Sequence, residues 1–129
     1  MDRETKEMVP LLSQPITPLR DELREKLDSL NENVTKISLS NCQITDEDLV
    51  PLVQRLHSFV NLTSLDFSYN QVVDISSLST LTNLTDLIFN NNRVVDISSL
   101  STLTNLTELW FNGNQVVDIS SLSTLTNLT

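Results

Sequence analysis

NLTSLDFSYNQVVDISSLSTLT (61–82), NLTDLIFNNNRVVDISSLSTLT (83–104) and NLTELWFNGNQVVDISSLSTLT (105–126) follow one another without a gap, and NLT (127–129) opens one more copy. A unit of 22 residues is too small to bury its apolar face alone, so successive copies must stack into one continuous core. In every copy apolar residues alternate around a central pair: Leu65 and Phe67, then Leu87 and Phe89, then Leu109 and Phe111. Period-two alternation over so few residues predicts a short strand with one buried face, and strands of stacked copies pair in parallel about 4.8 Å apart. Asn70, Asn92 and Asn114 then break the alternation. Turned inward, their amides can bond the backbone groups left unpaired where the chain bends off the strand, each Asn stacking on the next. Beyond the bend, Asp74-Ile75-Ser76-Ser77-Leu78 and its copies read as a short helical turn, with the Asp receiving free N–H groups. Leu78 and Leu81 then close the back of the core.

The preceding unit, residues 34–60, keeps the spacing with Val34, Ile37, Leu39 and Ile44 but puts Cys42 where the later copies have Asn. Its return is longer. Thr45 with Asp48 has the pattern of a capping box, and Leu49, Leu52, Val53 and Leu56 recur at helical spacing, which predicts a full convex helix with Pro51 in its first turns. Upstream, residues 17–33 read as an amphipathic capping helix, with Thr17 as cap, Pro18 at the first helical position and Leu19, Leu23, Leu27 and Leu30 on one face. Residues 1–16, with Pro10 and Pro15, read as a flexible arm.

Composition removes whole classes of chemistry. The chain's 129 residues suit one small domain, and they include one Gly, one His and one Cys. That excludes a glycine-rich phosphate loop, a His/Cys metal cage and an internal disulfide. The net charge is −9. Only Arg20, Arg24 and Lys26 lie close together, interleaved with Asp21, Glu22 and Glu25, so neither nucleic acid nor an anionic membrane is an expected partner. The first residues, MDRETKEMVPLL, carry no apolar run of signal-peptide length, which places the chain as written in the cytoplasm and leaves a secreted product open if a leader is missing. Asn33, Asn61, Asn83, Asn105 and Asn127 stand in N-x-T sequons, which the turn into each strand accounts for without glycosylation.

The run L-x-x-L-x-φ-x-x-N-x-φ, as in Leu62, Leu65, Phe67, Asn70 and Val72, is the signature of a leucine-rich repeat. The 22-residue units, with their N-x-φ-x-D-φ-S-x-L run, resemble those of internalins and of the leucine-rich regulatory subunit of protein phosphatase type one. The longer unit with Cys42 resembles a repeat of the ribonuclease inhibitor class. Residues 1–33 depart from an internalin cap. The resemblance implies an α/β leucine-rich repeat solenoid with short parallel strands on the concave face, helix or short helical turns on the convex face, and an N-terminal helical cap. It also implies a non-enzymatic scaffold without cofactors: an intracellular adaptor or phosphatase-regulator-like protein, or alternatively a secreted internalin-like adhesin.

Comparison among the copies points to a surface. Of 22 positions 17 are identical in all three, and the five that vary are Ser64/Asp86/Glu108, Asp66/Ile88/Trp110, Ser68/Asn90/Asn112, Tyr69/Asn91/Gly113 and Gln71/Arg93/Gln115. Alternation projects the first three sets from the face opposite Leu65 and Phe67, and the other two flank the inward Asn, so all five fall on the concave strip or its rim. The convex Val73, Asp74, Ser76, Ser77, Ser79 and Thr80 do not vary. The candidate partner-binding residues are therefore Ser64, Asp66, Tyr69, Asp86, Ile88, Asn91, Arg93, Glu108, Trp110 and Asn112. Tyr69, Ile88 and Trp110 supply anchor surface, and Asp66, Asp86 and Glu108 favour a protein ligand of basic or mixed charge. The plainer alternative is that Ile88 and Trp110 only pack on each other across adjacent strands.

Other features carry less. Asp86 and Glu108 lack a nucleophile or base to make acid–base chemistry, and nothing completes a metal-ligand set. Cys42 reads as a buried small hydrophobe and His57 as a surface residue at a helix end. The identical Ser and Thr rows on the convex side leave an ice- or carbohydrate-binding lattice as a minor alternative. After Thr129 nothing caps the last coil, which predicts Leu122, Leu125 and Leu128 facing water, lowest stability in residues 105–129, and either a longer natural protein or self-association of an otherwise monomeric chain.

Overall fold

The computed structural model describes residues 18–129; Thr17 and the arm at 1–16 lie outside them. Four parallel strands, β1 (Lys36–Ser38), β2 (Ser64–Asp66), β3 (Asp86–Ile88) and β4 (Glu108–Trp110), pair in sequence order into one sheet. Register is strict: Ile37, Leu65, Leu87 and Leu109 stand side by side, so the inward residue of each coil meets its equivalent in the next. Each strand leads into a convex return. The first return is an α-helix, α2 (Asp46–Leu56), and the later three are 3-10 turns at Ser76–Thr80, Ser98–Thr102 and Ser120–Thr124. Five residues of 3-10 helix advance the chain faster than α-helix does, which is how a 22-residue coil closes the same loop as the longer one.

The core lies between sheet and returns. Leu65, Phe67, Val72, Ile75 and Leu78 of one coil are fully buried, as are their equivalents Leu87, Phe89, Val94, Ile97 and Leu100 in the next. The phenylalanines form a continuous stack, with ring centroids 5.6 Å apart from Phe67 to Phe89 and 5.9 Å from Phe89 to Phe111, the planes near parallel. Offset stacking adds about 1 kcal/mol per pair beyond area burial.

The asparagine expectation holds in atomic detail. Asn70 Oδ1 accepts the N–H groups of Cys42 and Ile44, while its Nδ2 donates to the carbonyls of Leu39 and Phe67. Its amide thus binds the coil before it as well as its own. Asn92 and Asn114 repeat the arrangement on Val72 and Val94. This explains Cys42: the first coil has no preceding repeat coil for an Asn to reach, and Arg20 Nη2 donates instead to the Cys42 carbonyl at 2.7 Å. The Cys42 thiol is half-buried against the core, 3.4 Å from the Ser40 carbonyl.

The helix covering the first coil, α1, spans Asp21–Asp28, with acidic Asp21 and Glu22 in its first turn and Lys26 in its last. Leu23 and Leu27 are its buried contacts, with Leu19 and Leu30 half-buried beside them. Arg55 at the end of α2 bonds Asp28 at 3.0 Å and lies over the Phe59 ring, tying the cap to the first long coil. In α2 the Thr45 N–H donates to Asp48 Oδ2 at 3.1 Å, and the core face is Leu49, Leu52, Val53 and Leu56 with Pro51 among them.

One expectation fails at the last coil. Leu125 is buried, and Leu122 and Leu128 are half-buried, because these positions tuck beneath the preceding coil. On the convex side of this coil the apolar residues that meet water are Val117 and Ile119, 90% and 59% exposed, at the bend instead.

Candidate functional site: the concave strip

Strand register converts the variable positions into rows that cross the sheet. One row runs Lys36, Ser64, Asp86, Glu108, and the next runs Ser38, Asp66, Ile88, Trp110. Both lie on the face opposite the core, half-buried in the middle of the sheet and exposed at its two edges, at Lys36 and Ser38 on β1 and at Glu108 and Trp110 on β4. Ile88 is the direct neighbour of Trp110, as the plainer reading requires, yet half of the Trp110 surface remains open to solvent. Trp110 Nε1 reaches Glu108 Oε1 at 3.4 Å, and the Thr85 hydroxyl donates to Asp86 Oδ1 at 2.9 Å.

The third row corrects the expectation from alternation. Ser68 is buried, its Oγ accepting the N–H of Asn90, and Asn90 Oδ1 in turn accepts the N–H of Asn112 at 2.7 Å. Side chains here knit one coil to the next, so the change from Ser to Asn exchanges one acceptor for another. Asn112, though exposed, belongs to this ladder position. Asp66 is also tied locally, receiving the Ser68 N–H at 2.9 Å.

Backbone geometry at the fourth row was invisible to pattern reading. Tyr69, Asn91 and Gly113 all have positive φ, at 59°, 59° and 72°. Gly and Asn tolerate the left-handed region, whereas Tyr pays in strain there of order 1 kcal/mol. Asn91 and Gly113 are coupled as well, since a Cβ on Gly113 would collide with Asn91 Oδ1. The pairing of a large side chain with a position that disfavours it leaves Tyr69 61% exposed on the rim. Gln71 and Arg93, two residues beyond Tyr69 and Asn91 in their coils, are exposed as well.

On the opposite side, the identical Asp residues serve the turns. Asp74, Asp96 and Asp118 accept the N–H groups of Ser76, Ser98 and Ser120 at 2.9, 2.8 and 2.9 Å, and these bonds hold each carboxyl below the ordinary range. One of the hydroxyl rows is engaged in the same way: Thr80, Thr102 and Thr124 donate to carbonyls three residues back. Their donors point into the protein rather than toward a lattice. His57 sits exposed at the end of α2 with Nε2 2.9 Å from the Thr80 hydroxyl. Among the described residues no group of three His, Cys, Asp or Glu could hold a metal ion, and no helix is long and apolar enough to cross a membrane.

Parallel one-sheet coils, an inward asparagine ladder and a convex return define a leucine-rich repeat solenoid, a fold typically used as a non-enzymatic scaffold for protein interaction. The family described as leucine-rich repeats in two copies matches residues 32–80 and 60–102, more than half of the chain, and the chain belongs to it. Among solved structures it is similar to internalin InlF of Listeria monocytogenes, at 31% identity and TM-score 0.68 over 84% of this chain. Internalin C2 of the same organism matches at 32% identity and TM-score 0.60 over 75% of this chain. The chain spans 33% and 50% of the lengths of those two proteins. No curated protein matches it in sequence.

Proposed function

We propose that this chain is a non-enzymatic module that binds a protein partner through the concave strip, with Tyr69, Ile88 and Trp110 as anchors and Asp66, Asp86 and Glu108 selecting a basic or mixed-charge surface. The observation that carries this is the division of the coil: apart from the Ser68/Asn90/Asn112 row that joins coil to coil, side chains that vary from copy to copy stand on the concave face and rim, while the convex face is invariant. Tyr69 adds to it, since an exposed aromatic held in a strained backbone region is better explained by a contact than by folding. Ser64, Asn91 and Arg93 border the anchors, and Asn112 contributes at most its outer edge.

An intracellular adaptor is the first reading, favoured by a single, half-exposed thiol at Cys42 that a reducing compartment would keep intact. The likeness to two internalins favours the second, a secreted recognition protein. Affinity capture from cell extract tests the site: the chain is compared with a variant carrying Tyr69→Ser, Ile88→Ser and Trp110→Ser and showing unchanged circular dichroism. A partner lost by the variant supports the concave strip, and equal capture by both refutes it. A leader in the full reading frame would decide for the secreted reading.

A further inference from the structure

Resting on the concave-face reading, we propose that Asp86, Glu108 and Trp110 form a seat for an arginine side chain of the protein partner. Asp86 and Glu108 are register neighbours on β3 and β4, so their backbones stand about 5 Å apart and both side chains rise from the same face. Like charges directly opposite each other on a sheet are destabilising, and no ion pair among the described residues relieves these two. Each has one oxygen engaged, Asp86 Oδ1 by the Thr85 hydroxyl and Glu108 Oε1 by the Trp110 indole N–H, and the other oxygen without a hydrogen-bond partner among the described residues. Two carboxylates on adjacent strands can share one guanidinium, each accepting from a different N–H edge of the group.

Trp110 supplies the second half of the fit. Its indole lies two residues from Glu108 on the same face, half exposed, and a planar cation resting on it gains cation–π attraction that a compact ammonium shares less well. Ile88, beside Trp110 in register, offers the apolar floor for the methylene stem. The opposite end of the Asp86–Glu108 row is Lys36, about 14 Å away across three strand spacings. The row is therefore polar end to end, and a partner segment crossing the strands is oriented with its arginine over β4.

The seat carries its own reporter, because Trp110 is the single Trp of the chain. The probes are the acetylated, amidated tripeptide Leu-Arg-Leu and its citrulline and lysine counterparts, titrated against the full chain while Trp emission is followed. The expected result is a saturable change with the arginine peptide, binding about tenfold or more weaker for citrulline, weaker for lysine, and about tenfold weaker for either D86N or E108Q. No saturable response, equal binding of citrulline or lysine, or unchanged binding by both variants overturns the seat. Capture with the D86N/E108Q double variant separates this from the broader reading. A partner retained by it but lost by the Tyr69, Ile88 and Trp110 triple variant removes the arginine seat and leaves the concave site. Retention by both removes the two together.

Discussion

Replacing Asn92 by Ala removes four hydrogen bonds, and their remaining partners decide the cost. The Phe67 carbonyl keeps Asn70 Nδ2 at 2.7 Å, the Phe89 carbonyl keeps Asn114 Nδ2 at 2.9 Å, and the Asn90 carbonyl keeps the Tyr69 N–H at 2.8 Å. The Val72 N–H, held by Asn92 Oδ1 at 3.0 Å, has no second acceptor among the described residues. Asn92 is only 6% exposed, so water does not reach the orphan freely. One buried unsatisfied donor costs about 1–3 kcal/mol, and three weakened carbonyl sites bring the expected loss to the top of that range, about 3 kcal/mol. Asn114→Ala is the internal control. It orphans the Val94 N–H in the same way, but at a half-exposed position where water substitutes, and about 1 kcal/mol is expected. Urea unfolding of the three proteins, compared at unchanged m value, measures both. A cost for Asn114→Ala equal to or above that for Asn92→Ala would refute the reasoning, as would a loss below about 0.5 kcal/mol for Asn92→Ala.

Tyr69→Asn relieves the left-handed strain, so it should stabilise by up to about 1 kcal/mol in urea melts while weakening capture of the partner; destabilisation would contradict the strain argument. Acid should act through the turn aspartates. Their folded pKa values lie below the unfolded ones, so the stability they add is present above about pH 4 and disappears as pH falls through the folded values. A melting-temperature profile from pH 6 to 2 should therefore be flatter for the D74N/D96N/D118N variant, which keeps an acceptor at each turn. Ser77 Oγ is buried without a partner, whereas Ser99 Oγ reaches the Ile75 carbonyl, so Ser77→Ala should be neutral or stabilising by up to about 1 kcal/mol. A clear loss of stability in urea would show that Ser77 has a partner after all. Hydrogen exchange should be fastest in residues 105–129, where Leu109, Phe111 and Val116 are only half-buried, and slowest around Leu87 and Phe89.

Periodicity alone determined the coil, its strand, the inward asparagine and the turn aspartate, because each is a local choice made three times over and each copy constrains the others. It also located the variable strip, since alternation decides which side of a strand a residue occupies. What it could not supply was context between coils. The serine shared by Ser77 and Ser99 is satisfied in one coil and orphaned in the other, because the coil before Ser77 returns through α2 and the coil before Ser99 through a 3-10 turn. Ser68 looked outward by alternation and is buried, because its hydroxyl serves the backbone of the following coil. The left-handed backbone at Tyr69, and the meeting of Asp86 with Glu108 and of Ile88 with Trp110, likewise belong to the stacked structure. Pattern reports which face a side chain takes within its own strand; the register between strands, which the core and the asparagine ladder enforce, decides what stands next to it.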